Sequence, residues 1–176
     1  MNLMEMGLRR RSVRRYGPTP IPDDVLDYIL DFALTAPSSF GHRPVEFVVV
    51  RDRETIRKTG DCKSLGGSQI VGADAVIVVM ADTHDKRMSE FWIEDASIAS
   101  TYILLAAEEK GLGACWVHIR NRTGRRGTSD EEIRSLLGVP EGYTVLNLVA
   151  LGEKGESKKP YTPEDFDRSK IHRGRF

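Results

Sequence analysis

The stretch RRRSVRRYG, Arg9 to Gly17, sets five arginines beside a serine hydroxyl and a tyrosine. Guanidinium groups bind phosphate through paired hydrogen bonds of matched geometry, and Ser12 adds a hydroxyl donor for the same anion. Capture of a single phosphate is one reading of this run; a solvated basic turn is another. Nucleic-acid contact is a third, but it needs an extended basic stripe with interleaved aromatic rings, and only Tyr16 is near. A second basic patch, RNRTGRR (Arg120 to Arg126), keeps that reading open.

Other chemistries lack their residues. GLGACW carries Gly111 and Gly113, but Trp116 stands where a dinucleotide fingerprint needs its third glycine, and the order is helix then strand. Neither GxxxxGK[ST] nor GxSxG occurs. His42, His84, His118 and His172 are scattered without close-spaced ligand partners, so no metal is expected. Cys115 and His118, three apart on a strand, fall on opposite faces and cannot act as a nucleophile pair. Cys62 and Cys115 form no CxxC and read as buried free thiols in a reducing compartment.

These side chains must be held by a mixture of helices and strands. Asn2 and Glu5 have the spacing of a reciprocal helix cap. In DDVLDYILDFALTA, Val25, Leu26, Ile29, Leu30 and Ala33 recur at helical spacing between Pro22 and Pro37. EFVVV (46–50) and AVIVVMA (75–81) read as strands, the second buried on both sides. The intervening DCKSLGGSQIVG (61–72) reads as a mobile or cofactor-facing loop. SEFWIEDASIASTYILLAAEEKG predicts a central buried helix that can start at Ser89 and stop at Gly111. CWVHI (115–119) and TVLNLVALG read as strands, and SDEEIRSLLG as a helix with a capping box from Ser129 to Glu132 and a stop at Gly138.

A chain of 176 residues, 40% hydrophobic, suits one domain over 1–176. Its 26 basic and 26 acidic residues cancel, so the whole-molecule field does not call for a polyanionic partner, and no nucleic acid is expected. Basic residues follow the first apolar ones, the reverse of a secretory signal, and the longest apolar run is too short to cross a bilayer. A cytoplasmic protein without membrane contact is expected. The stretch 153–176 has only Tyr161, Phe166, Ile171 and Phe176 to bury, so it suits a segment lying along another surface, such as a second copy of the chain.

RRSVRRY, a proline-bearing link and helix, and then APSSFGHRPVEFVVVRD together resemble the opening of the nitroreductase family of flavin enzymes. EDASIASTYILLAAEEKGLGACWV is similar to that family's central helix and GLGxCW segment, and KIHRGRF to its closing motif. The resemblance implies an α+β fold with a central mixed, mainly antiparallel sheet flanked by helices, built as an intertwined homodimer. FMN would lie at the interface, with 153–176 embracing the partner. It further implies that Arg10, Arg11 and Ser12 hold the FMN phosphate and ribityl chain, with Lys158 or Lys159, and that Arg14 reaches the pyrimidine edge. Pro37, Ser38 and Ser39 of the other subunit would lie against the flavin ring, and the backbone of Cys115, Trp116 and Val117 beneath it. Phe40, Gly41 and Arg43 would face substrate. Gly41, Arg43 and Val45 replace the family's usual Asn, Gln and Trp.

The implied activity is reduction of nitroaromatics, quinones or similar small acceptors by NADH or NADPH in a ping-pong cycle. No catalytic acid or base is required, because the flavin carries the hydride. The alternative is a flavin-binding or redox-sensing module with little turnover.

Overall fold

The computed structural model describes residues 2–176. Its sheet has four strands in the order β1 (Val45–Val50), β2 (Ala75–Asp82), β4 (Tyr143–Gly152), β3 (Gly113–His118), every neighbouring pair antiparallel. In β2, Ala75, Ile77 and Val79 face one side and Val76, Val78 and Met80 the other, so one continuous apolar strand serves two cores. The first side carries α2 (Asp23–Leu34) and α4 (Trp92–Glu109), which bury Leu26, Ile29, Ala33, Ile103 and Ala107. The second carries α3 (Arg53–Asp61) and α5 (Ser129–Leu137) through Ile56 and Ile133. Helix α1 (Leu3–Arg9) opens with the expected reciprocal cap between Asn2 and Glu5.

A bulge in β4 steers the chain near β3. Val79 pairs with Asn147 and Met80 with Val145, so Leu146 has no partner in β2. Leu146 joins the core on the α4 side, and the Asn147 Oδ1 accepts the Ser100 hydroxyl of α4 at 2.8 Å. The Leu146 carbonyl accepts both the Ile119 N–H (3.1 Å) and the Arg120 N–H (3.0 Å), turning the chain out of β3.

Three expectations require correction. The central helix starts at Trp92, not Ser89, because the Ser89 N–H and hydroxyl both donate to the Asp85 carbonyl at 3.0 and 2.8 Å and close a turn first. It is also open on one side, where Ile98 is exposed. The cap of α5 is Thr128 with Glu131: the Glu132 carboxylate is drawn instead to the N–H groups of Arg126 and Gly127, and the Ser129 hydroxyl is buried without a partner. Of the two readings of the 61–72 stretch, the mobile one is corrected and the cofactor-facing one is left standing: Lys63 Nζ donates to the His118 carbonyl at 2.6 Å, and a short 3-10 turn, Gly67–Gln69, packs so tightly on α3 that a Cβ at Gly67 would stand 2.0 Å from the Gly60 oxygen.

Ahead of α2, Ser12 and Val13 meet the open edge of β3, and residues 15–17 pair with residues 153–155 beyond β4. Ser12 forms a parallel bridge with Ala114 and Tyr16 an antiparallel one with Lys154. The Val13 N–H donates to the Ala114 carbonyl (3.0 Å), the Gly17 N–H to Glu153 (3.0 Å), and the Gly155 N–H to Arg15 (2.9 Å). The Tyr16 hydroxyl lies 2.9 Å from the Val13 carbonyl and 3.2 Å from that of Ala150. Burial pushes its phenol well above the ordinary range, so it stays a donor. Tyr16→Phe removes that donor and is expected to cost about 1–3 kcal/mol of stability, read as a lower urea midpoint at unchanged m.

Candidate cofactor site

The docked N-terminal run places the basic residues at one end of β3. Arg11 donates from Nη1 to the Lys159 carbonyl, and its guanidinium lies over the Tyr161 ring, 4.4 Å from the centroid. Lys158 Nζ donates to the Ser12 carbonyl, whereas the Lys159 side chain is exposed. The Arg10 N–H caps α1 on the Met6 carbonyl at 2.9 Å. Its guanidinium makes no ion pair among the described residues. Arg14 Nε donates to Gln69 Oε1 at 2.9 Å, and the Cys115 thiol lies 3.5 Å from the same oxygen.

Beside this end opens a cavity of about 700 Å³ whose walls include Arg9, Arg11, Lys154 and Lys158, with Glu108 and Glu156 between them. Glu108 is only 4% exposed and pairs with Lys154 Nζ at 2.7 Å and Arg9 Nε at 3.8 Å. The Glu156 carboxylate accepts the Arg14 N–H at 2.6 Å and stands 3.5 Å from Lys158 Nζ. That backbone N–H, with the Lys158 charge, holds the Glu156 carboxyl below its ordinary range. Burial pushes the Cys115 thiol up, against the pull of Arg14 and Lys158. Of the predicted phosphate residues, Arg11 and Lys158 line this cavity and Arg10, Ser12 and Arg14 do not; a planar guanidinium and an ammonium, with cations exceeding carboxylates among the walls, fit a phosphate monoester.

The remaining predicted residues stand elsewhere. Pro37, Ser38 and Arg43 line a separate cavity of about 260 Å³ with Val45, Phe47 and Asp95. Ser39 donates from its N–H (2.8 Å) and hydroxyl (3.1 Å) to the buried Asp95 carboxylate of α4, and the Arg43 N–H donates to the Ser38 hydroxyl at 2.9 Å. Between them the backbone is left-handed at Phe40 (φ 53°), Gly41 (φ 72°) and Arg43 (φ 51°), and Phe40 is 82% exposed. Left-handed backbone at a bulky residue is strained, by about 1–3 kcal/mol. The linings of the two cavities share no residue.

Trp116 is half-buried, its ring 12° from parallel to that of His118, while Cys115 and Val117 are buried in the core under α3 and α5. Gln69, Asp95, Lys154 and Glu156 stand against the predicted residues, and sequence reasoning missed them. The one available signal was the glycine pair before Gln69. Among the described residues, no group of three or more His, Cys, Asp or Glu is arranged to hold a metal ion, and no helix is long and apolar enough to cross a membrane.

Comparison with known proteins supplies independent information. Residues 8–62 and 63–153 match the description of the nitroreductase family. A solved FMN-dependent nitroreductase from Clostridium difficile R20291 is 40% identical and superposes with a TM-score of 0.94, covering 99% of this chain and 100% of its own. A Methanothermobacter thermautotrophicus protein is 36% identical over 172 residues, 98% of this chain and 86% of its own. A Thermus thermophilus protein named NADH dehydrogenase is 29% identical over 187 residues, 87% of each chain.

Because Glu156 has a folded pKa below its ordinary 4.5, its contribution is complete above that value and is lost as pH falls through the lowered one. Glu156→Gln is therefore expected to lower the melting temperature at pH 7 and to shrink the further drop on acidification below the ordinary carboxylate range. Thermal melts of both proteins across that range check this.

Proposed function

The chain belongs to the nitroreductase family, and from that premise we propose that it is a homodimeric, FMN-dependent NAD(P)H oxidoreductase acting on nitroaromatics, quinones or similar small acceptors. The observation that carries the reading is the docked run 12–17, which brings Arg14 and Gln69 together beside Cys115 and opens the cation-lined cavity alongside. When bound, FMN supplies hydride transfer between NADH or NADPH and the acceptor at one shared face, a ping-pong order.

The chain's own residues have distinct tasks in this reading. Arg10, Arg11, Ser12 and Lys158 hold the phosphate, whose burial requires several charged donors at once. Lys159, whose side chain is exposed, offers its carbonyl to Arg11. Arg14, oriented by Gln69, stands at the pyrimidine edge and offsets the negative charge that develops there on reduction. Cys115, Trp116 and Val117 form the floor beneath the ring, and Pro37, Ser38 and Ser39 of a second subunit its far wall. Phe40, Gly41 and Arg43 border the acceptor.

A second copy is favoured because each half-site is open by itself and because large apolar groups stay uncovered: Phe32, Leu34 and Ile98 on the helices, and Tyr161, Phe166, Ile171 and Phe176 along the tail.

The test begins with colour. Protein supplemented with FMN is expected to be yellow, to bleach with NADH or NADPH without oxygen, and to regain colour with menadione or a nitrofuran. Binding without bleaching would overturn the oxidoreductase reading; bleaching without turnover would leave a flavin-binding module. Arg10→Ala is expected to weaken FMN by about 1.5–3 kcal/mol, the size of a charged hydrogen bond, measured by flavin fluorescence.

A further inference from the structure

The basic run Arg120 to Arg126 divides into two surfaces. Arg125 is paired with Asp61 at 2.6 Å, and Arg126 borders a cavity walled by Glu131 and Glu132. Arg120 and Arg122 leave in the other direction, because the bulged Leu146 carbonyl binds the Arg120 N–H and the next residue, Asn121, takes a left-handed turn at φ 56°. There the chain is laced to the 61–72 stretch. The Ser64 N–H and hydroxyl donate to the Thr123 carbonyl at 3.1 and 2.9 Å, and Lys63 Nζ donates to His118 O.

The result is a cavity of about 320 Å³ lined by Lys63, Ser64, Leu65, Asn121, Arg122 and Thr123, without one carboxylate in its wall. Lys63, Arg120 and Arg122 form no ion pair among the described residues. Burial, then the charges of Arg122, Lys63 and Arg120, hold the His118 imidazole below its ordinary range, and burial with Arg122 does the same to the Lys63 ammonium. Like charges gathered around a partly buried concavity, in a chain with acids to spare, make a place for an anion.

The position narrows the anion's identity. His118 is three residues beyond Cys115 on β3, about 10 Å along the strand, and Lys63 belongs to the same connection as Gln69. Through the Lys63 bond to the His118 carbonyl the cavity adjoins the end of β3 beyond Cys115, and its volume is in the size range of small-ligand sites. Both forms of the proposed electron donor carry a diphosphate, and one carries an additional ribose phosphate.

We propose that Lys63, Ser64, Asn121 and Arg122 form a subsite for a phosphate group of the reduced pyridine nucleotide, Arg122 supplying the fork and Lys63 the point charge. This rests on the oxidoreductase reading, and the experiment separates the two. FMN-saturated protein is titrated calorimetrically with adenosine 2′,5′-bisphosphate and with adenosine 5′-diphosphate. Arg122→Gln is the principal variant because no hydrogen bond or ion pair within the described residues uses its side chain; Lys63→Gln is the second.

In Arg122→Gln, at least one probe is expected to bind about fivefold more weakly or worse, as loss of a charge-assisted hydrogen bond predicts, with FMN affinity and melting temperature unchanged. Loss confined to the 2′,5′-bisphosphate assigns the ribose phosphate; equal loss for both assigns the diphosphate. A smaller loss for both probes, or no binding by the parent, overturns the proposal. Anaerobic bleaching by NADH and NADPH is read separately, so a parent that binds the probes but is never bleached refutes the oxidoreductase reading and not the anion site.

Discussion

Everything at the candidate site depends on how the open edge of β3 is covered. An uncovered edge presents unpaired N–H and C=O groups, and here Ser12 and Val13 sit against it, with Val13 buried and its N–H on the Ala114 carbonyl, while residues 15–17 pair with 153–155. The approach is close enough that a Cβ on Gly113 would stand 2.7 Å from Val13 Cγ1. Alternation along an extended chain then turns Ser12 and Arg14 away from the buried Val13. Without this docking, the arginines would be a solvated turn; with it, they are ordered against Gln69, Glu156 and the 153–159 stretch that returns along the same edge.

The cavity beside Pro37, Ser38 and Arg43 is ordered by a different device. Its loop bends through left-handed residues around Gly41 and is tied down by one buried carboxylate, Asp95, which receives two bonds from Ser39. That leaves Phe40 exposed and Arg43 at a cavity mouth, a conformation that has local strain but no covering surface within the chain. These features are what the proposed homodimer calls for, in which each chain would contribute one end of one site and the opposite end of another.

Much of the scaffold was legible because its causes are local. Helix α2 follows from its apolar period, strands β1, β2 and β4 from short apolar runs rich in β-branched residues, and the Asn2 cap from its spacing to Glu5. Helix α3 was not legible, since Ile56 is the sole large apolar residue of RETIRKTGD and its start is decided by Asp52 binding the Thr55 N–H. Thr128 and Ser129 are adjacent hydroxyls that could each cap α5; the demand of Arg126 and Gly127 for the Glu132 carboxylate decides between them. Gln69 was invisible for the same reason: its partners, Arg14 and Cys115, lie far away in the chain and meet only through the sheet. The basic run 120–126 looked like one patch in sequence, and it took Asp61 from a different element to divide it.

Cys115 sits under the Arg14 and Gln69 pair, so it is the sulfur nearest the proposed redox centre. Thiolates react with peroxides and electrophiles, and thiols largely do not. Because burial outweighs the cations and keeps this sulfur protonated, the most vulnerable atom in the neighbourhood is chemically quiet. In the proposed site, the sulfur below the flavin would thus be biased toward the less reactive thiol, which slows its attack on oxidants arriving from the open face.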